Sequence, residues 1–245
     1  MLSLAAEPIA HIGSFTVTNT LVDTVLVDAI IVALALYINK NVSLVPSKFQ
    51  SSIELMLEAF YNLTESVAGK QTKRIFPFVM SFFLFILISN WSGLLPVITS
   101  FGIYHYTGEE KEFIPLFRSA STDLNTTLAL ALVSLVATHS MSILTLGWKQ
   151  YVHRFLSLNP LALYTGILEA VSELTKIISF SFRLFGNIFV GEVILGTLSA
   201  VSAFILPIPI IFYELFVGTI QATIFALLTM AFMAIFTSPH GAGEN

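Results

Sequence analysis

Phe180-Ser181-Phe182-Arg183-Leu184-Phe185-Gly186-Asn187-Ile188-Phe189-Val190-Gly191-Glu192 sets a guanidinium in the middle of an apolar run. An arginine at the centre of a membrane helix costs about 2.5–3.5 kcal/mol on insertion scales. It needs a partner, a water-filled cavity, or both. A buried structural ion pair is the plainer reading of Arg183. Ionisable residues inside spans, however, mark ion paths and relays, and the rest of the chain is read as what carries and supplies this arginine.

The 245 residues are 56% hydrophobic and 11% charged, with mean hydropathy +0.86. Soluble domains carry roughly 25% charged residues, so this composition specifies an integral membrane protein. The net charge of −4 is spread over sparse, localised groups. Without cysteine there is no disulfide framework, thiolate chemistry or Cys-ligated metal. The N-terminus lacks the basic start and long apolar core of a cleaved signal, which leaves targeting to the first span.

Outward from the arginine, apolar runs of about 20 residues mark bilayer crossings. Residues 1–20 form a tail, and 21–39 a first span with Asp23 near the interface and Asp28 deeper. Residues 40–73 are an inner segment carrying an amphipathic interfacial helix. Its Ile53, Met56, Leu57, Phe60 and Val67 oppose Glu54, Glu58, Asn62 and Glu65. Ser51 and Glu54 fit a capping box, and Gly69 a helix stop. The alternative is a helix packed on a soluble subunit. A second span, 74–97, has Pro77 in its first turn, Asn90 deep inside and Pro96 at its end. A polar loop, 98–123, leads to a third span at 124–147, capped by Asp123 or Ser121 and carrying Ser134, Thr138 and His139. An inner loop, 148–160, precedes a long hairpin, 161–237, and a short tail, 238–245.

Lysine and arginine in short loops set orientation. Segment 40–74 holds Lys40, Lys48, Lys70, Lys73 and Arg74, and is placed inside. Loop 98–123 holds Lys111 and Arg118 against Glu109, Glu110, Glu112 and Asp123. It is placed outside with the N-terminus, and the C-terminus falls inside.

The hairpin is too long to stand upright. A single helix from 161 to 206 would measure roughly 65–70 Å, against a hydrocarbon core of ~30 Å. Its first helix carries Glu169, Glu173, Lys176, Arg183 and Asn187 within an arc of about 80°. Glu192 falls about 180° from Arg183, so the two belong to different compartments. Lys176 with Glu169 or Glu173 also suits an internal salt bridge. On the last helix Glu214, Gly218 and Gln221 form another stripe, and Gln221 also suits interhelical hydrogen bonding. Pro207 and Pro209 enforce a turn, giving two long, tilted, antiparallel helices. The expected class is an all-α membrane protein with about five spans and one interfacial helix.

At these residues the resemblance becomes specific. Arg183-Leu184-Phe185-Gly186-Asn187 followed by Gly191-Glu192 resembles the signature of subunit a of F-type ATP synthases. Gly218-Thr219-Ile220-Gln221-Ala222 is similar to that family's last helix. Pro46 through Gln50, Asn90 through Pro96, and Asp123, Asn125 and Thr127 resemble its earlier landmarks, so the likeness runs from about residue 15 onward. Gly186 before Asn187, with Glu192, looks more like the bacterial than the animal mitochondrial branch. Some bacterial members have histidine where Glu214 stands, which argues against a histidine relay at that position.

The resemblance implies a non-catalytic, proton-translocating stator in a bacterial plasma membrane. It would stand beside a rotor c-ring, with peripheral-stalk b subunits and the remaining ATP synthase complex, and use neither cofactor, metal nor nucleic acid. Arg183 would separate two aqueous half-channels. The outer path is expected to use Glu192, Glu214, Gln221, Asn187 and Asn90, and the inner path Glu169, Glu173, Ser172 and Lys176. Pairing of Arg183 with Gln221 centres the hairpin on residue 202, with its first helix ending near 198. A secondary transporter is the main rival, but no internal repeat or pair of broken helices is found. A membrane hydrolase is disfavoured by scattered histidines, His11, His105, His139, His153 and His240.

Overall fold

The computed structural model describes residues 6–13, 15–95, 101–107, 110–155, 160–202 and 205–238. Helix α1 is Asn19–Asn41, α2 Lys48–Ala68 and α3 Thr72–Ser92. Helix α4 is Leu124–Leu146, α5 Trp148–Phe155, α6 Pro160–Val201 and α7 Pro207–Thr237. Among the described residues five helical segments are long and apolar enough to cross a membrane, with α2 and α3 running on as one of them. This is the expected all-α membrane class, with two small additions. Strands β1 (Pro8–Ile12) and β2 (Phe15–Thr18) pair antiparallel, as do β3 (Gly102–Thr107) and β4 (Glu110–Pro115). The N-terminal tail and the 98–123 loop therefore each contain a hairpin, a feature hidden in segments read only for polarity.

Local chemistry sets the boundaries. Helix α2 begins earlier than the Ser51 cap predicts, because Ser47 accepts from the Gln50 amide at 3.2 Å. Ser51 lies inside the helix. Glycine at 69 has φ of 50°, where a side chain would be strained, and ends α2 as expected. The covered face of α2 runs through Ile53, Met56, Leu57, Phe60 and Thr64. Val67 shares that face but is exposed, one residue before the helix ends at Ala68. Helix α3 also starts early, at Thr72, so Pro77 stands inside it rather than in its first turn. Pro96 lies outside the described residues. Of the two cap candidates for α4, Asp123 serves, accepting from the Asn125 amide at 2.9 Å.

The chain forms two compact units. One comprises Met1–Leu44, Phe83–Thr127 and Phe182–Thr223; the other comprises Val45–Phe82, Leu128–Ser181 and Ile224–Asn245. In the first, Val27, Ile86, Leu184 and Ala222 are buried. In the second, Ile75, Val79, Met233 and Phe236 are buried, with Phe180 against Phe225 at 5.2 Å between ring centroids.

Helix α6 has 42 residues and so measures about 63 Å, twice the ~30 Å of a hydrocarbon core. The prolines do not make the turn after it. Pro207 opens α7 and Pro209 lies in its first turn, where a missing N–H leaves no helical bond unmade. Helix α6 ends at Val201 rather than near 198. The hairpin's register is the expected one. Gly191 meets Glu214 within the first unit, and Phe180 meets Phe225 within the second. Both pairs centre on 202.5, half a residue from the centre that Arg183 and Gln221 predict.

Candidate proton-handling sites

Helix α6 presents Arg183 and Asn187 to the outside of the chain, near the helix midpoint. Phe182, Val190 and Ile194 flank them, also exposed. The polar arc read from the sequence is thus not one environment. Glu173 on the same arc is buried, whereas Ser172 is exposed.

In the first unit, Arg118 grips Glu192. Its Nε donates to both carboxylate oxygens at 3.1 and 3.2 Å, and its Nη2 donates to Oε2 at 3.0 Å. Charge-assisted, forked contacts of this kind are the strong ones. Glu192 therefore looks away from Arg183, as the half-turn between them requires. The sequence left Arg118 as one of two bases in an acidic loop, with no signal that it reaches α6.

Glu214 is 3% exposed and fills the space beside Gly191, where any Cβ would overlap its carboxylate. No described cation pairs with it. One turn on, the Gly218 carbonyl accepts from Asn90 Nδ2 at 3.0 Å. Gln221 is half-buried one further turn along. Glu214, Gly218 and Asn90 are thus brought together, and the expected stripe on α7 faces inward.

A further carboxylate is enclosed by the protein. Asp23 is fully buried. Its Oδ2 accepts from Ser92 Oγ at 3.0 Å and from the Ala120 amide at 3.1 Å. Nearby, Ser119 Oγ donates to the Ser89 carbonyl and Thr20 Oγ1 donates to Asp123. Asp28 is exposed on α1. Asp23 Oδ1, Asn90 Oδ1, Ser89 Oγ, Ser121 Oγ and Asn19 Nδ2 are buried with no hydrogen-bond partner among the described residues. Buried polar atoms in this state are commonly completed by ordered water.

The second unit is built differently. Arg154 Nε donates to both oxygens of Glu169 at 2.9 Å, and Nη2 donates to Oε1 at 2.5 Å. Its guanidinium lies 4.1 Å from the Phe236 ring centroid. Glu173 is held by Lys176 Nζ at 2.5 Å and by His139 Nε2 at 3.5 Å. Lys176 also sits 3.6 Å from the Phe232 ring centroid, a favourable place for a cation. Of the two salt bridges the sequence left open for Lys176, Glu173 is the one made, because Arg154 occupies Glu169. His139 Nδ1 faces Tyr151 Oη at 3.1 Å. Burial first, then the Glu173 carboxylate, pushes the Tyr151 phenol above its usual range. Arg154 and Tyr151 stand on α5, a helix inside what the sequence presents as a loop. Among the described residues no cluster of three His, Asp or Glu side chains could hold a metal.

The sequence matches the family model described as ATP synthase A chain over residues 21–234. It is 32% identical over 232 residues to a protein named ATP synthase subunit a from Moorella thermoacetica (strain ATCC 39073 / JCM 9320), covering 95% of this chain and 96% of that one. The chain belongs to the ATP synthase A chain family, whose members serve ATP synthesis and proton transport in membranes.

Proposed function

We propose that this chain is the stationary, proton-conducting subunit beside a rotating ring of membrane carboxylates, with Arg183 dividing an outer from an inner aqueous half-channel. The chain itself is non-catalytic. The observation that carries this reading is Arg183 exposed near the middle of a long apolar helix, on a surface open to a partner. A nearby cation favours the ionised form of a carboxylate. A rotor carboxylate reaching Arg183 therefore gives up its proton. Once it moves on into lipid, a bare charge is strongly disfavoured and the neutral form returns. Arginine keeps its charge at any working pH, so it blocks a direct leak without relaying protons itself.

Glu214 with Gly218 and Asn90, then Gln221, Asn187 and Glu192, form the outer route in this reading. Glu173 with Lys176, then Glu169 and Ser172, form the inner one. The basic segment 40–74 faces inside, so the N-terminus lies outside and the C-terminus inside a bacterial plasma membrane. The c-ring and the peripheral-stalk b subunits are the partners. Reconstitution tests the reading. Vesicles holding the purified chain alone should show no proton conduction under an imposed potential, and vesicles also holding the rotor ring should conduct. Conduction by the chain alone would point to a channel or transporter instead.

A further inference from the structure

The group formed by Tyr151, His139, Glu173 and Lys176 does more than hold helices together. Both ring nitrogens of His139 are engaged, Nδ1 by Tyr151 Oη at 3.1 Å and Nε2 by Glu173 Oε2 at 3.5 Å. Phe155 and Phe236 pack around the ring at 6.3 and 5.3 Å between centroids, which fixes its plane. Glu173 also borders a cavity of about 20 Å³, with Ser134, Thr138 and Lys176 on its polar part and Ile177, Phe180 and others on its apolar part. That is room for one water, with a hydroxyl, a carboxylate and an ammonium to hold it. A small cavity, a carboxylate, an imidazole and a phenol are thus linked through Glu173 and His139, and the histidine is a fifth exposed.

We propose that His139 carries protons between Glu173 and the inner face, with Tyr151 handing them on to water. This rests on the inner-path reading given above. Glu173, neutral after taking a proton from the cavity, passes its carboxyl proton to Nε2 of a ring protonated at Nδ1. The imidazolium releases its Nδ1 proton to Tyr151 Oη as the phenol's own proton leaves to water. One proton enters, one leaves, the carboxylate is restored, and the ring regains its first tautomer by exchange with water. The reverse sequence runs inward from the inner face. The groups facing the ring are Glu173 and Lys176 from α6 and Tyr151 from α5, with Arg154 beyond Phe236. An imidazole can take a proton at one nitrogen and release one from the other, so flux should depend on this ring.

The test uses the whole ATP synthase complex in inverted vesicles, with assembly verified and proton flux measured from pH 5.5 to 9. His139→Gln keeps a polar group but cannot carry a proton. It should slow flux roughly ten- to a hundredfold and remove one limb of the pH profile, while Tyr151→Phe should slow it less and shift that limb. Glu173→Gln separates the two claims. Wild-type flux in Glu173→Gln would overturn the inner-path reading and the relay together. Slowed flux there with a wild-type rate and profile in His139→Gln would overturn the relay alone. If His139→Gln fails to assemble, Tyr151→Phe decides, and an unshifted profile counts against the relay.

Discussion

The two units handle buried carboxylates in opposite ways. In the second unit each one meets a cation, Glu169 with Arg154 and Glu173 with Lys176. In the first, Asp23 is held by a hydroxyl and an amide, and Glu214 by no described cation, while Glu192 alone has an arginine. All five buried polar atoms lacking a described partner are in the first unit. A carboxylate beside a fixed cation favours its ionised form, whereas one surrounded by hydroxyls and low-dielectric walls can exist neutral. In the proposed reading the first unit's carboxylates take and give protons themselves. In the second, Glu173 beside Lys176 hands its proton on to His139, which returns it to the charged form between transfers.

The largest expected effect tests this contrast within the first unit. Glu214→Gln should slow proton flux by about tenfold or more, and Glu192→Gln by less, since the Glu192 carboxylate is already tied to Arg118. The double variant should be non-additive if the two share one path. Flux in inverted vesicles measures this, and equal losses for the two single variants would break the comparison.

Next comes the ion pair on α5. Arg154→Ala leaves Glu169 with no cation in a mostly covered place. It should cost about 3 kcal/mol, the low end for a broken buried pair, because Glu169 keeps 20% exposure. Thermal unfolding in detergent should show the loss, with Arg154→Lys recovering part of it. Unchanged stability would mean that the pair is solvent-screened.

The smallest effect sharpens the account of Glu214. At Gly191→Ala the new methyl would overlap the Glu214 carboxylate, the movable end of a side chain. Assembly should persist while outer flux falls a few-fold. Wild-type flux would indicate that Glu214 does not need that position.

Much of this was legible in the sequence, and the reasons for the rest are physical. Apolar runs locate spans because lipid demands them, and the charge of Arg183 inside such a run is conspicuous on its own. The register followed from the pairing of Arg183 with Gln221 that the family resemblance implies, since a polar pair on facing helices constrains how they align. Its centre puts the turn in the several residues before the prolines, and α6 does end at Val201 with α7 opening at Pro207. Arg118 and Arg154 were missed as partners because each reaches its carboxylate from a different segment, 74 and 15 residues away. No periodicity encodes such a pairing. The burial of Asp23 was not legible because it depends on Ser92 and Ala120 arriving from elsewhere in the chain.

The central claim is that Arg183 divides the two paths, and its replacement in membranes holding the complete complex is the direct measurement. Arg183→Ala, with its content in the membrane verified, should abolish both ATP synthesis and ATP-driven proton pumping. Arg183→Lys should fail as well, because a lysine can lose its charge when buried and lacks the planar fork. Proton-coupled ATP synthesis at the normal rate in Arg183→Ala membranes would contradict the account.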